Sequence, residues 1–184
     1  MPGNGNGGRL KTVKFWTLKI FFITLILAAA FSFLTEYFMN DLNIIVAVLL
    51  VLLVLLIGVA FDIIGIAFAT CDKTPFVAMA SKKVKGAKNA LMLLKNATSV
   101  SNFCNDVIGD ICGIVSGAAG AAIAVKIILI SPTIPKLLLG IAISSFIAAM
   151  TVSLKSAGKK YAVNKNKQIV QDISKVIGIF SREK

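Results

Sequence analysis

The sequence predicts an all-α, polytopic membrane protein with four transmembrane helices and further basic amphipathic helices at the membrane surface. First, 57% of the 184 residues are hydrophobic and only 15% are charged, whereas soluble domains are about 45–50% apolar and about 25% charged. Second, the hydrophobic residues fall into four runs that are each long enough to cross about 30 Å of hydrocarbon. A cytosolic enzyme, a disordered tail and a disulfide scaffold are therefore disfavoured.

The four hydrophobic runs predict spans at residues 15–38, 44–69, 107–130 and 137–154. They form one transmembrane domain over residues 15–154. We expect a flexible basic N-terminus over residues 1–14, a cytoplasmic amphipathic loop over residues 71–101, and a basic amphipathic helix over residues 155–184.

Basic residues predict the orientation, because Lys and Arg accumulate in cytoplasmic loops. The N-terminus, the loop between the second and third spans, and the C-terminal tail are all basic. The two other connections carry Glu36 and Asp41 in one and Lys136 in the other. We therefore expect a multi-pass protein of the plasma or inner membrane with both termini in the cytoplasm.

A cleavable signal peptide is the alternative for the first span, since small residues at 28–30 resemble a cleavage site. The apolar run continues past that site through Phe31 and Phe33. An uncleaved membrane anchor therefore fits the sequence better.

Two basic segments show an apolar stripe at helical spacing, which is typical of amphipathic helices that bind anionic lipid. In the loop the stripe is Phe76, Met79, Val84, Ala87, Leu91 and Leu94, and in the tail it is Ile169, Ile173, Val176, Ile177 and Phe180. We expect four loop lysines to face lipid headgroups: Lys82, Lys83, Lys85 and Lys88. The alternative is that these cations only set the topology.

Acidic residues inside the spans are the strongest functional signal, because a carboxylate at mid-membrane costs about 2.5–3.5 kcal/mol on insertion scales. Asp62 lies in the second span and Asp110 in the third. Each shares a helical face with small residues, which allow membrane helices to approach closely. We expect helix packing at Gly58, Gly65, Gly113, Gly117 and Gly120.

If these faces meet, the second and third spans bring together a set of oxygen ligands. The predicted metal ligands are Asp62, Asn102, Asn105, Asp106 and Asp110. Several carboxylates in one low-dielectric space need a cation or protons to compensate their charge. The chain has no His, and oxygen ligands suit Mg²⁺ first and Na⁺ or Ca²⁺ next. Alternatively, Asn102 and Asp106 cap a helix, and Asp62 bonds to a neighbouring Ser or backbone group.

Three segments between Phe61 and Gly113 resemble the transmembrane domain of the CorB/CorC and cyclin M (CNNM) family. They are Phe61-Asp-Ile-Ile-Gly-Ile-Ala67, Met79-Ala-Ser-Lys-Lys-Val-Lys-Gly-Ala-Lys-Asn-Ala-Leu-Met-Leu-Leu94 and Asn102-Phe-Cys-Asn-Asp106. The resemblance implies transport of Mg²⁺ or Co²⁺ and a homodimer. The sequence departs from the family at Asp62 and Gly65, where the family has Ser and Glu, and it lacks the Gly-Glu-x-x-Pro-Lys motif. The residues after Leu154 are too few for the CBS domains, which puts nucleotide regulation in doubt.

The leading hypothesis is an integral membrane protein that binds and transports a divalent cation, Mg²⁺ or Co²⁺, through an intramembrane carboxylate site. Two alternatives remain: a non-transporting adaptor that binds lipid or a partner protein through its basic loop and tail, and a proton-coupled or lipid-handling membrane protein. We expect no enzyme activity, no organic cofactor and no nucleic-acid partner. Membrane lipids and a second copy of the chain are the expected partners.

Overall fold

The computed structural model describes residues 6–41, 43–130 and 135–180, and these residues contain helices and no strand. The helices are α1 (Asn6–Asp41), α2 (Ile44–Thr70), α3 (Thr74–Ser81), α4 (Ala87–Lys95), α5 (Ala97–Asn102), a π-helix (Phe103–Gly109), α6 (Asp110–Ile130), α7 (Lys136–Asn164) and α8 (Asn166–Phe180).

Four helical segments are long and apolar enough to cross a membrane. They are Leu18–Thr35 within α1, Ile44–Thr70, Ala97–Ile130 and Leu137–Asn164 within α7. The third segment combines α5, the π-helix and α6, and we call it the third span. The predicted all-α, polytopic class with four spans is confirmed.

Helices continue beyond the predicted spans in two places. The expected flexible N-terminus is helical from Asn6, while residues 1–5 lie outside the described part of the chain. Hydropathy predicts that the fourth span ends at residue 154, but α7 continues to Asn164 and a separate helix begins at Asn166. Hydropathy falls where the charged residues begin, whereas Lys and Ala are good helix formers, so the helix continues past that point.

The spans pack as a bundle in which α2, α6 and α7 contact one another and α1 lies against α6. Ala47 and Val51 of α2 are buried against Ala119 and Ile123 of α6. On its other side, the third span buries Val107, Ile111 and Val115 against Ile20, Leu27 and Ala28 of α1. Many outward-facing side chains of α2 are exposed apolar residues, as lipid contact requires.

A second core lies at one end of the bundle, where α3, α4 and α8 pack on the last turns of α2. We call these three helices the platform. The buried residues of this core are Ala67, Phe68, Phe76, Ala90, Leu94 and Val170. The apolar stripes of the loop and the tail therefore contact each other and α2, with the lysines at 82, 83, 85 and 88 left exposed.

Local geometry holds α8 in the platform. Asn166 donates a hydrogen bond from Nδ2 to the carbonyl oxygen of Thr70, at 3.1 Å. Gly86, the residue directly before α4, has a φ of +81°, a conformation that favours glycine. A Cβ at Gly86 would lie 3.1 Å from the backbone nitrogen of Lys175 in α8. The two chain segments therefore approach closely because residue 86 lacks a side chain.

Candidate functional site

A lysine links the two intramembrane aspartates that the sequence singles out. The Nζ atom of Lys155 in α7 lies 3.0 Å from Oδ2 of Asp62 in α2. The same Nζ lies 3.7 Å from Oδ1 of Asp110, the first residue of α6. All three residues belong to segments that can span a membrane. We call Asp62, Asp110 and Lys155 the charge cluster.

The three members of the charge cluster differ in exposure. Asp62 is buried, with 6% of its surface exposed. The side chain of Lys155 is 23% exposed and that of Asp110 is 65% exposed. One ammonium therefore faces two carboxylates, one enclosed by protein and the other open at the bundle surface. With all three groups ionised the formal charge is −1, so the cluster can accommodate the charge of a cation or a proton.

Glycines allow the third span to approach α2 at this depth. A Cβ at Gly109 would overlap Oδ1 of Asp62, and a Cβ at Gly65 would overlap the side-chain amide of Asn105. A Cβ at Gly58 would lie 2.7 Å from Cβ of Cys112. Gly58 and Gly65 thus lie at helix contacts, as does Gly120, which faces Ile147 of α7. Gly113 and Gly117 instead face open space.

A π-helix separates the acidic residues of the third span. It runs from Phe103 to Gly109, directly before Asp110. Segments of this kind are rare and are frequently found at functional sites. Asp106, within the π-helix, lines a cavity beside α1 together with Asn102 and Lys19, whereas Asp110 contacts α7. Two acids one turn apart therefore face different neighbours.

The five predicted metal ligands consequently do not share one space. Asp62 and Asp110 meet at Lys155, while Asn102 and Asp106 line the α1 cavity. Asn105 lies beside Gly65, where its Nδ2 donates to Oγ of Ser101 at 3.3 Å and its buried Oδ1 has no hydrogen-bond partner within the described part of the chain. Among the described residues, no group of three or more His, Cys, Asp or Glu side chains is placed to hold a metal ion. Because of the π-helix, Asp106 lies on a different face from the one that simple α-helical spacing predicts.

Lys155 is the functional candidate that sequence reasoning misses, because a lysine directly after the last predicted span is typical of a topology signal. The small residues that follow Lys155 are a different signal, because they indicate that helix packing continues. Gly158 lies against α2, where a Cβ would be 2.9 Å from Ile63, and Ala162 is fully buried. Helix packing therefore continues past Lys155 and places it inside the bundle.

The cysteines form no disulfide. Cys71, Cys104 and Cys112 are free thiols. Cys71 follows α2 at the platform, and burial raises the pKa of its thiol above the ordinary value. Cys71 is therefore held in the neutral, less nucleophilic form.

The comparisons with known proteins give no family assignment. A scan against protein-family models found no match, and searches of curated proteins and of solved structures found no similar protein.

Proposed function

We propose that this membrane protein binds a divalent cation, Mg²⁺ first, at Asp62 and Asp110, and transports it by exchanging it with the ammonium of Lys155. The observation that carries the proposal is a buried carboxylate within a span, paired at 3.0 Å with a lysine that also faces a second carboxylate. The sequence resemblance to the CorB/CorC and CNNM transmembrane domain supports the choice of ion.

The charges of the charge cluster explain why Mg²⁺ and the ammonium of Lys155 would exchange. Mg²⁺ prefers oxygen ligands and usually keeps several waters, so two carboxylates with water can hold it. The ammonium of Lys155 occupies the position beside Asp62 that a cation would take. Because like charges repel strongly at low dielectric, the ammonium must leave when the ion enters past the exposed Asp110. The proposed direction of access is the cytoplasmic side, where the basic platform and both termini would lie.

Mg²⁺-dependent thermal stability of the detergent-purified protein tests this site. An ion that binds only the folded state at about 100 times its Kd adds about 2.7 kcal/mol. We expect the shift with Mg²⁺, and its loss in Asp62→Asn and in Asp110→Asn. Asp106→Asn is the matched control, since Asp106 lies in the separate α1 cavity and its removal should leave the shift intact.

The other outcomes identify the alternatives. An equal loss in Asp106→Asn would indicate the broader five-residue site expected from sequence. A stability shift that follows pH and ignores Mg²⁺, Ca²⁺ and Na⁺ would indicate proton coupling at the charge cluster. No shift with any ion or pH would contradict both transport hypotheses.

A non-transporting adaptor is the second candidate, and the exposed lysines of the platform favour it. Lys82, Lys83, Lys85 and Lys88 project outward from a folded core, where each could add about 1 kcal/mol of attraction to anionic lipid. Replacing all four by Gln tests this function without removing α8, whose deletion would expose the platform core. Loss of binding to anionic lipid, with Mg²⁺ binding intact, would favour the adaptor.

A homodimer is also proposed, through the open face of α6. Gly113 and Gly117 have no neighbour within 4 Å of an added Cβ, and this small-residue pattern supports close helix contact in membranes. The exposed Asp110 begins the same helix, so a second copy would shield it from lipid and leave its access from the cytoplasmic side open.

A further inference from the structure

Three neighbouring cavities lie along α1 where it meets α2 and the third span. Their volumes, from the platform end outward, are about 350, 450 and 250 Å³. Phe103 lines the first and second cavities, and Phe31, Val54 and Val115 line the second and third. We call this row the α1 crevice. From Asp106 to Ala119 it covers about 20 Å at 1.5 Å per helical residue.

We propose that the α1 crevice binds one phospholipid with an ethanolamine headgroup. Its phosphate and ammonium would lie between Lys19 and Asp106, and one acyl chain would follow the second and third cavities. The proposal is independent of cation transport, because none of the three residues of the charge cluster lines the crevice.

The first cavity carries the polar groups that such a headgroup requires. Lys19 lines it from α1 and Asp106 from the π-helix, with Ser99 and Asn102 beside them. An ammonium on the protein attracts a lipid phosphate, and a carboxylate attracts a lipid ammonium. An anionic lipid without an amine would leave the carboxylate of Asp106 without a cationic partner from the headgroup. The pair of opposite charges favours a zwitterionic headgroup, and the N–H donors of a primary ammonium favour ethanolamine over choline.

The remaining cavities suit an acyl chain. The second is lined by apolar side chains and Cys112, including Leu27, Ile57 and Ile108. Protein interiors are close-packed, and empty apolar volume forfeits dispersion contacts. The volumes of the first and second cavities lie in the range of ligand pockets.

A cavity elsewhere in the bundle provides the comparison. It has a volume of about 380 Å³ and lies between α2, α6 and α7, with Val48, Ile143 and Phe146 in its lining. No charged residue lines it. It is apolar like the second cavity and similar to it in volume but lacks a headgroup site, so it serves as a control for nonspecific lipid contact.

Native mass spectrometry of the detergent-purified full chain with added lipid tests the proposal. We expect one phosphatidylethanolamine per chain, retained in preference to phosphatidylglycerol and phosphatidylcholine. Ile108→Trp, which fills the second cavity, should weaken retention, whereas Phe146→Trp in the control cavity should not. Lys19→Gln should weaken retention about tenfold, as expected for one charge-assisted hydrogen bond, and Asp106→Asn should remove the preference for ethanolamine over glycerol.

Three results would overturn the lipid site: no retained lipid, equal retention of the three headgroups, or equal effects of Ile108→Trp and Phe146→Trp. Val54→Phe provides a second filling variant if Ile108→Trp does not fold, and the two headgroup variants change no apolar packing. Each variant therefore either supports the lipid site or overturns it.

Discussion

Lys155 neutralises a carboxylate that protein surrounds within a membrane span. Replacing Lys155 by Met should leave the buried Asp62 without its cation and cost about 3–5 kcal/mol, the usual penalty for breaking a buried ion pair. Unfolding of the detergent-purified protein measures this cost. Lys159→Met, one turn further along α7 at an exposed position, should change stability little.

The double variant Asp62→Asn with Lys155→Met separates the ion pair from other effects of residue 155. If the pair accounts for the cost, the double variant should recover most of it, because neither charge is left alone. Strictly additive losses would contradict a coupled pair. The Lys155→Met protein should also regain stability with Mg²⁺ if the ion takes the place of the ammonium.

Gly109 provides the space that the carboxylate of Asp62 occupies. A Cβ added there would overlap Oδ1 of Asp62, so Gly109→Ala should destabilise the protein by about 1–3 kcal/mol through overpacking. Gly140→Ala in α7 is the control, where the added Cβ has no described neighbour within 4 Å and helix propensity favours Ala by up to about 1 kcal/mol. Equal unfolding free energies for the two variants would contradict this packing.

At the scale of the elements, the start of α3 depends on a single carboxylate. Oδ1 of Asp72 accepts hydrogen bonds from the backbone N–H of Thr74 at 3.1 Å and from its hydroxyl at 3.0 Å. These bonds, the backbone one first, hold the pKa of Asp72 below its ordinary value. A lowered folded-state pKa stabilises the protein above the unfolded pKa, near 3.9, and the gain is lost as pH falls through the folded value.

The expected result is a pH-dependent cost of Asp72→Asn. The variant should unfold more easily than the wild type at pH 7, and the difference should shrink as the pH falls below about 3.9. Chemical denaturation at a series of pH values measures it. A difference that stays constant with pH would show that the charge of Asp72 does not stabilise α3.

Amphipathic periodicity predicts the platform helices but not what covers their apolar faces. Leu94 of α4 and Val170 of α8 are both fully buried in one core, although they are far apart in the chain. A helical stripe reports only that one face avoids water. Lipid and protein satisfy that requirement equally, so the sequence alone could not choose between them.

At the scale of the whole molecule, the open face of α6 predicts the oligomeric state. Gly117→Leu should convert the proposed dimer into a monomer in mild detergent, because the larger side chain prevents close approach of helices. Light scattering coupled to size exclusion measures the mass. Ala149→Leu, at an exposed position of α7, should leave it unchanged. A wild-type monomer at all protein concentrations would contradict the proposal.

The spans follow from hydropathy because the bilayer sets one length and one polarity for every crossing helix. The sequence also predicts that Asp62 and Asp110 lie close to each other, since each acid shares a helical face with glycines. The sequence does not predict which residue pairs with these acids, because Lys155 cannot be distinguished by sequence from the basic residues that determine topology. The separation of Asp106 from Asp110 is also hidden, since it depends on a backbone hydrogen-bond pattern for which the sequence carries no reliable signal.

Because the π-helix at Phe103–Gly109 has a wide turn, the helical face on which Asp106 lies relative to Asp110 depends on the number of residues in this segment rather than on their type. A π-helical turn holds about one residue more than an α-helical turn. Deleting one residue between 103 and 105 would permit a continuous α-helix, in which Asp106, four residues before Asp110, would lie on the same face as Asp110 while the segments on either side keep their orientation. Asp106 would then leave the side of α1 that carries Lys19. In an evolving lineage, a single-codon deletion here would change which acid meets which lysine without substituting either acid or either lysine.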